Sequence, residues 1–129
     1  LAKSFRDLEV WQKSVDLTEK VYRVTWKFPK SEMYALSSQM QRAAVSIASN
    51  LAEGSARGSK KDFRQFVYVA KGSNCELQTQ LLIANRLRLA PEAEIAEAEM
   101  LSHEIGRMLG GLSRYLTTQI KAKRAERLS

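Results

Sequence analysis

The chain has 129 residues, 44% of them hydrophobic, enough for one domain around one core and too apolar for wholesale disorder. Its single cysteine, Cys75, excludes an intrachain disulfide, no charge-free apolar run nears the ~20 residues of a membrane span, and Leu1 to Asp7 has no apolar signal-peptide core, so a cytosolic protein without a membrane partner is expected. The formal net charge of +7 permits nucleic-acid binding, and its placement along the chain decides more than its sum.

The first predicted helix covers residues 8–28. One apolar stripe is Leu8, Trp11, Val15, Thr18, Tyr22 and Thr25; a second is Val10, Ser14, Leu17, Val21, Val24 and Phe28. The two stripes are adjacent and together cover about half the circumference. Glu9, Gln12, Asp16, Glu19, Lys20 and Arg23 fill the other half. A face that wide exceeds a two-helix seam. With Trp11 on it and Trp26 close by, it points to contact with further copies of the chain. Pro29 ends the helix by disfavouring helical geometry in the residue before it.

The second helix is expected over 32–53, with Leu36, Met40, Ala43, Ala44, Ile47, Ala48 and Leu51 at spacings of three and four. Gly54 then reads as its stop. Ser55 to Gly58 forms a short loop, and Ser59 with Asp62 makes an S-x-x-D cap signal. The third helix, 60–89, carries Phe63, Val67, Ala70, Asn74, Leu77, Leu81 and Ala84 as one stripe. Pro91 suits a first helical turn. It opens a fourth helix over 92–125, with Ile95, Ala98, Leu101, Ile105, Met108, Leu112 and Tyr115 inward, followed by a basic C-terminal tail. Glu92, Glu94, Glu97, Glu99 and Glu104 occupy its first half, and Lys121, Lys123, Arg124 and Arg127 its end. Acid first and base last complements the helix dipole. Short connections make consecutive helices antiparallel. The expected fold is therefore all-α: one up-down-up-down antiparallel four-helix bundle.

Residues 39–54, QMQRAAVSIASNLAEG, resemble the hallmark segment of a bacterial family of four-helix-bundle proteins, the proteins of intervening sequences in large-subunit ribosomal RNA genes. The family pattern reads Q-x-R-R-A-x-x-S-I-x-x-N-I-A-E-G, and Gln39, Arg42, Ala43, Ser46, Ile47, Asn50, Ala52, Glu53 and Gly54 match it. FRDLEVW (Phe5 to Trp11) is similar to the family's opening, and AKGSNCEL (Ala70 to Leu77) to its A-x-G-S-x-x-E-L segment. Gln41 stands where the family often has a first arginine, which weakens a phosphate grip by that pair. Ala48 stands where proline is frequent, which leaves the second helix straighter. The resemblance implies no catalytic activity. Relatives include accessory proteins of diversity-generating retroelements, and HEIGRMLGGLSRYL (residues 103–116) is similar to their corresponding segment. That likeness implies a homopentamer that binds nucleic acid and contacts a reverse transcriptase.

Gln39, Arg42, Asn50, Glu53 and Glu76 admit two readings: a buried polar network that sets helix register and interface geometry, or a polar binding site. Buried charges need partners, and the network is the favoured reading. A di-metal centre in such a bundle needs Glu-x-x-His pairs. The one histidine, His103, has Met100 three residues before it, so no metal and no cofactor are expected, and no enzyme. Gly106 and Gly110 form G-x-x-x-G inside a helix. Each costs about 1 kcal/mol relative to alanine, which close contact between helices or subunits would offset.

The basic residues carry the functional expectation. Arg57, Lys60, Lys61, Arg64 and Lys71 cluster against one acid, Asp62; Arg107, Arg114, Lys121, Lys123, Arg124 and Arg127 cluster against Glu126. An up-down-up-down bundle brings the second connection and the end of the fourth helix to one pole, with Lys3 and Arg6. The glutamate run lies at the other. The expected function is a non-catalytic homo-oligomer gripping RNA or DNA backbones at that basic pole, with Arg57, Lys60, Lys61, Arg64, Lys121, Lys123, Arg124 and Arg127 as contacts. The alternative is a protein–protein adaptor docking an acidic partner, such as a reverse transcriptase.

Overall fold

The computed structural model describes residues 4–129; Lys3 lies outside them. Four helices run α1 Glu9–Thr25, α2 Leu36–Ser55, α3 Lys60–Arg86 and α4 Glu92–Leu128, with one-turn 3₁₀ segments at Phe5–Asp7 and Lys30–Glu32. Each helix packs on its neighbours in sequence and α1 closes against α4; among the described residues no diagonal pair of helices brings Cα atoms within 8 Å. This is the expected up-down-up-down four-helix bundle, with Leu17, Met40, Ile47, Leu51, Leu77, Leu81, Ile95, Ile105 and Leu109 at its centre.

The second stripe of α1 is the core face: Val10, Ser14, Leu17, Val21, Val24 and Phe28 are all buried. The first stripe stays at the margin except for Thr25, which is buried; Val15 is 42% exposed. The helix stops at Thr25, before the expected Phe28, and Trp26 to Phe28 form a turn that tucks Phe28 into the core. Thr25 marks the stop: its hydroxyl donates back to the Val21 carbonyl at 2.8 Å and accepts from the Gln41 side chain at 3.0 Å. The second helix begins four residues later than the pattern suggests, because a 3₁₀ turn occupies Lys30–Glu32. The apolar spacing that defines it starts only at Leu36.

Gly54 does not stop α2, which continues through Ser55. It is buried, and a Cβ there would lie 2.5 Å from Cβ of Phe66. The glycine lets the end of α2 approach the start of α3, which no side chain would allow. Ser59 caps α3 as expected, its hydroxyl accepting from the Asp62 N–H at 3.1 Å. The expected α3 stripe is buried from Val67 to Ala84, with Gln80 joining it and Phe63 only partly buried. The helix ends at Arg86, three residues short of Leu89, on a left-handed Arg88 (φ 55°).

In α4 the register drifts. Ile95, Ala98 and Ile105 are buried as expected, but Ser102, Leu109, Ser113 and Leu116 take the other central positions, while Leu101, Met108 and Leu112 are only partly buried and Tyr115 is exposed. A 3.6-residue turn slips against a seven-residue repeat. A serine at the seam also admits a partner that leucine would exclude. Ser102 donates to Asn74 Oδ1 at 2.7 Å, and Asn74 Nδ2 donates to the Ser102 carbonyl at 3.0 Å, both buried. Gly106 makes room for the same asparagine, since its Cβ would meet Asn74 Nδ2 at 3.2 Å. Within the chain, this glycine thus accommodates a close approach between α3 and α4.

A candidate nucleic-acid interface between α3 and α4

The expected helix end at 125 extends to Leu128, so Arg127 of the expected tail is helical along with Lys121, Lys123 and Arg124, and all four hold fixed angular positions. Lys123, Arg124 and Arg127 stand at i, i+1 and i+4. Lys60, Lys61 and Arg64 repeat that spacing at the start of α3. The two sets line opposite walls of one groove, completed by Gly58, Ser59, Gln119, Ile120, Ala122 and a single acid, Glu126. Two runs of chain far apart in sequence thus meet at one pole.

Arg64 fixes the floor. It is half-buried, its Nη1 donates to Thr117 Oγ1 of α4 at 3.1 Å, and its guanidinium lies 5.8 Å from the centre of the Tyr68 ring. Arg64 Nε is buried without a hydrogen-bond partner among the described residues. The remaining groove cations, Lys60, Lys61, Lys123, Arg124 and Arg127, are exposed and make no ion pair among the described residues. Arg57 is placed differently: it pairs with Glu53 at 2.8 Å and lies 4.9 Å over the Phe66 ring, outside the groove lining. Lys121 is exposed on α4 and also outside the lining. Arg6, the first basic residue described, lies 5.2 Å over the Phe5 ring.

The polar group on α2 and α3 is not a buried network in this chain. Gln39, Arg42, Glu53 and Glu76 are exposed. Only Asn50 is half-buried, donating to the Ser46 carbonyl at 2.8 Å while Ser46 and Ser73 share a 2.8 Å hydrogen bond across the α2–α3 seam. The reason is angular. Met40, Ala43, Ile47 and Leu51 define the core line, and positions 39, 42 and 53 stand off it. Arg42 instead joins Tyr22, Ser38, Gln41, Val45 and Ser46 around a shallow depression. Trp11 packs against the core and edge-on to Phe5 at 5.0 Å, so its partner is within the chain; Trp26 is 69% exposed. Gly110 faces its own helix neighbour Arg114.

The acidic half of α4 does more than match a dipole. Glu104, Glu97 and Glu94 pair across the seam with Lys13, Lys20 and Lys27 of the first helix and the turn after it, at 2.8, 3.6 and 2.5 Å. Sequence reading had a signal for this ladder and missed it: the three lysines recur every seven residues. The hydrogen bond to Glu104 holds the Lys13 ammonium above its ordinary pKa, with the nearby Glu104, Glu9 and Asp16 charges adding to it against partial desolvation. Among the described residues no three His, Cys, Asp or Glu side chains converge as a metal site requires, and no helix is long and apolar enough to cross a membrane.

None of the curated proteins matches the chain. Among solved structures, a protein of unknown function from the S23 ribosomal protein family of Bacteroides thetaiotaomicron has a similar fold. Its TM-score is 0.73 at 23% identity, over 81% of this chain and 97% of that one. The pattern of the 23S rRNA-intervening sequence proteins matches residues 6–111, which include the α3 wall of the groove and stop short of its α4 wall. By that match, extending over most of its length, the chain belongs to the 23S rRNA-intervening sequence protein family.

Proposed function

We propose that this protein is a non-catalytic, self-assembling binder of nucleic-acid backbone, and that the groove between the start of α3 and the end of α4 is its contact surface. One observation carries the reading: six cations at matched spacing face one another across a groove, and none of the six makes an ion pair among the described residues. Unpaired Lys and Arg side chains in a common trough release counterions from a phosphate chain, and that release drives sequence-independent binding. The family's name links its members to ribosomal RNA genes, which agrees with a nucleic-acid partner. Self-assembly draws support from the margin of α1 and α2, where Val15 and Val45 remain exposed. A homopentamer is the assembly proposed, on the family resemblance.

The test is a fluorescence-anisotropy titration of labelled 20-mer duplex RNA and DNA at about 50 and 200 mM salt. Engagement of six phosphates lowers affinity by about 10³-fold between those concentrations. No binding at the lower salt, together with binding of an acidic peptide, would transfer the groove to the adaptor reading. Light scattering tests the assembly: a monomer mass at micromolar concentration would overturn it.

A further inference from the structure

We infer that the groove selects double-stranded over single-stranded nucleic acid; the inference rests on the nucleic-acid reading above and adds the form of the ligand. Proteins that hold single strands combine a cationic track with exposed aromatic faces on which unpaired bases stack. This groove has the track and lacks the faces. Its lining contains no aromatic residue. Of the aromatic side chains on the first turns of α3, Phe63 is partly buried against the core, and Phe66 and Tyr68 lie beside the protein's own cations. Phe66 lies beneath Arg57 at 4.9 Å, and Tyr68, 43% exposed, has Arg64 at 5.8 Å and Lys71 at 6.0 Å from its ring centre. Tyr115 is exposed without such a cover, but it stands a full turn before Gln119 and outside the lining.

With stacking removed, phosphate charge is what remains to be read. A duplex presents it at about one charge per 1.7 Å of axis, twice the density of either strand. The repeated i, i+1, i+4 cations on the two walls offer one row of contacts to each of two backbones. Counterion release gives the size of the preference. Six contacts correspond to log–log salt slopes of about −5.4 for duplex and about −4.2 for single strand. With other contributions equal, the duplex is favoured about 15-fold at 0.1 M salt.

The experiment titrates the full chain against a 20-base-pair RNA duplex, the same DNA duplex and each separated strand, from 0.05 to 0.3 M salt. Tyr68→Ala and Tyr115→Ala are titrated beside the wild type. The expected result is tighter binding and a steeper slope for both duplexes, with neither tyrosine variant changing any affinity more than about twofold. A difference between the RNA and DNA duplexes identifies which backbone geometry fits and leaves the duplex preference in place. Equal or tighter binding of single strands, or loss of single-strand binding in either tyrosine variant, overturns the inference and leaves the nucleic-acid reading standing. Absence of binding to every probe at the lowest salt overturns both.

Discussion

The two halves of α4 carry charge of opposite sign and use it in opposite ways. Toward its start, Glu94, Glu97 and Glu104 face α1 and its following turn, and each meets a lysine. Toward its end, Lys123, Arg124 and Arg127 face the start of α3, and each meets further cations. In the first half three of the five glutamates are paired within the chain, and Glu92 and Glu99 make no ion pair among the described residues. The second gathers like charge that the chain does not neutralise, at an energetic cost that only screening or a ligand lowers. In one helix, then, three glutamates are paired across a seam near the start, and cations gather without ion pairs among the described residues at the end, where the proposed nucleic-acid contact lies.

The strongest way to break that comparison is to remove the unpaired half. In Lys60→Ala/Lys123→Ala/Arg124→Ala, duplex affinity at 0.1 M salt falls by about 500-fold and the salt slope drops by about 2.7. Melting shifts by no more than about 0.5 kcal/mol, because exposed unpaired cations contribute little to stability. An unchanged slope in anisotropy titrations would remove these residues from the contact set. The next effect tests the frame that presents the α3 wall. Gly54→Ala sets a Cβ against Phe66 and costs about 1–3 kcal/mol in urea denaturation. Unaltered stability would show that the α2–α3 approach is looser than described.

Neutralising the paired half sharpens the comparison from the other side. In Glu94→Gln/Glu97→Gln/Glu104→Gln, three surface ion pairs are lost. The midpoint then falls by no more than about 10 °C, and duplex affinity does not fall. A loss of affinity would show that the acidic half shapes the groove. The smallest effect is in pH. Glu104 raises the Lys13 pKa above 10.5. That contribution is complete below pH 10.5 and is lost as pH climbs through the folded-state value. The melting difference between wild type and Glu104→Gln is therefore constant from neutral pH to about 10 and shrinks above it. A difference that shrinks between pH 7 and 9 would assign it to another group.

Periodicity alone located the four helices and the lines Val10–Phe28, Met40–Leu51 and Val67–Ala84, because burying a helix's apolar side demands that spacing whatever the partner. Chain direction likewise brought the starts of α3 and the end of α4 to one pole, since short connections leave antiparallel packing as the only route. Packing against a particular neighbour settled the rest. Gly54 and Gly106 look alike in sequence to any helix stop or subunit contact, and only the positions of Phe66 and Asn74 give them their roles. The serines Ser102 and Ser113 displaced the larger residues one step away, because α4 drifts against α3 over its 37 residues. Whether a charge is free or spent depends on which side chain stands opposite, and that distance across a seam is a property no single helix contains.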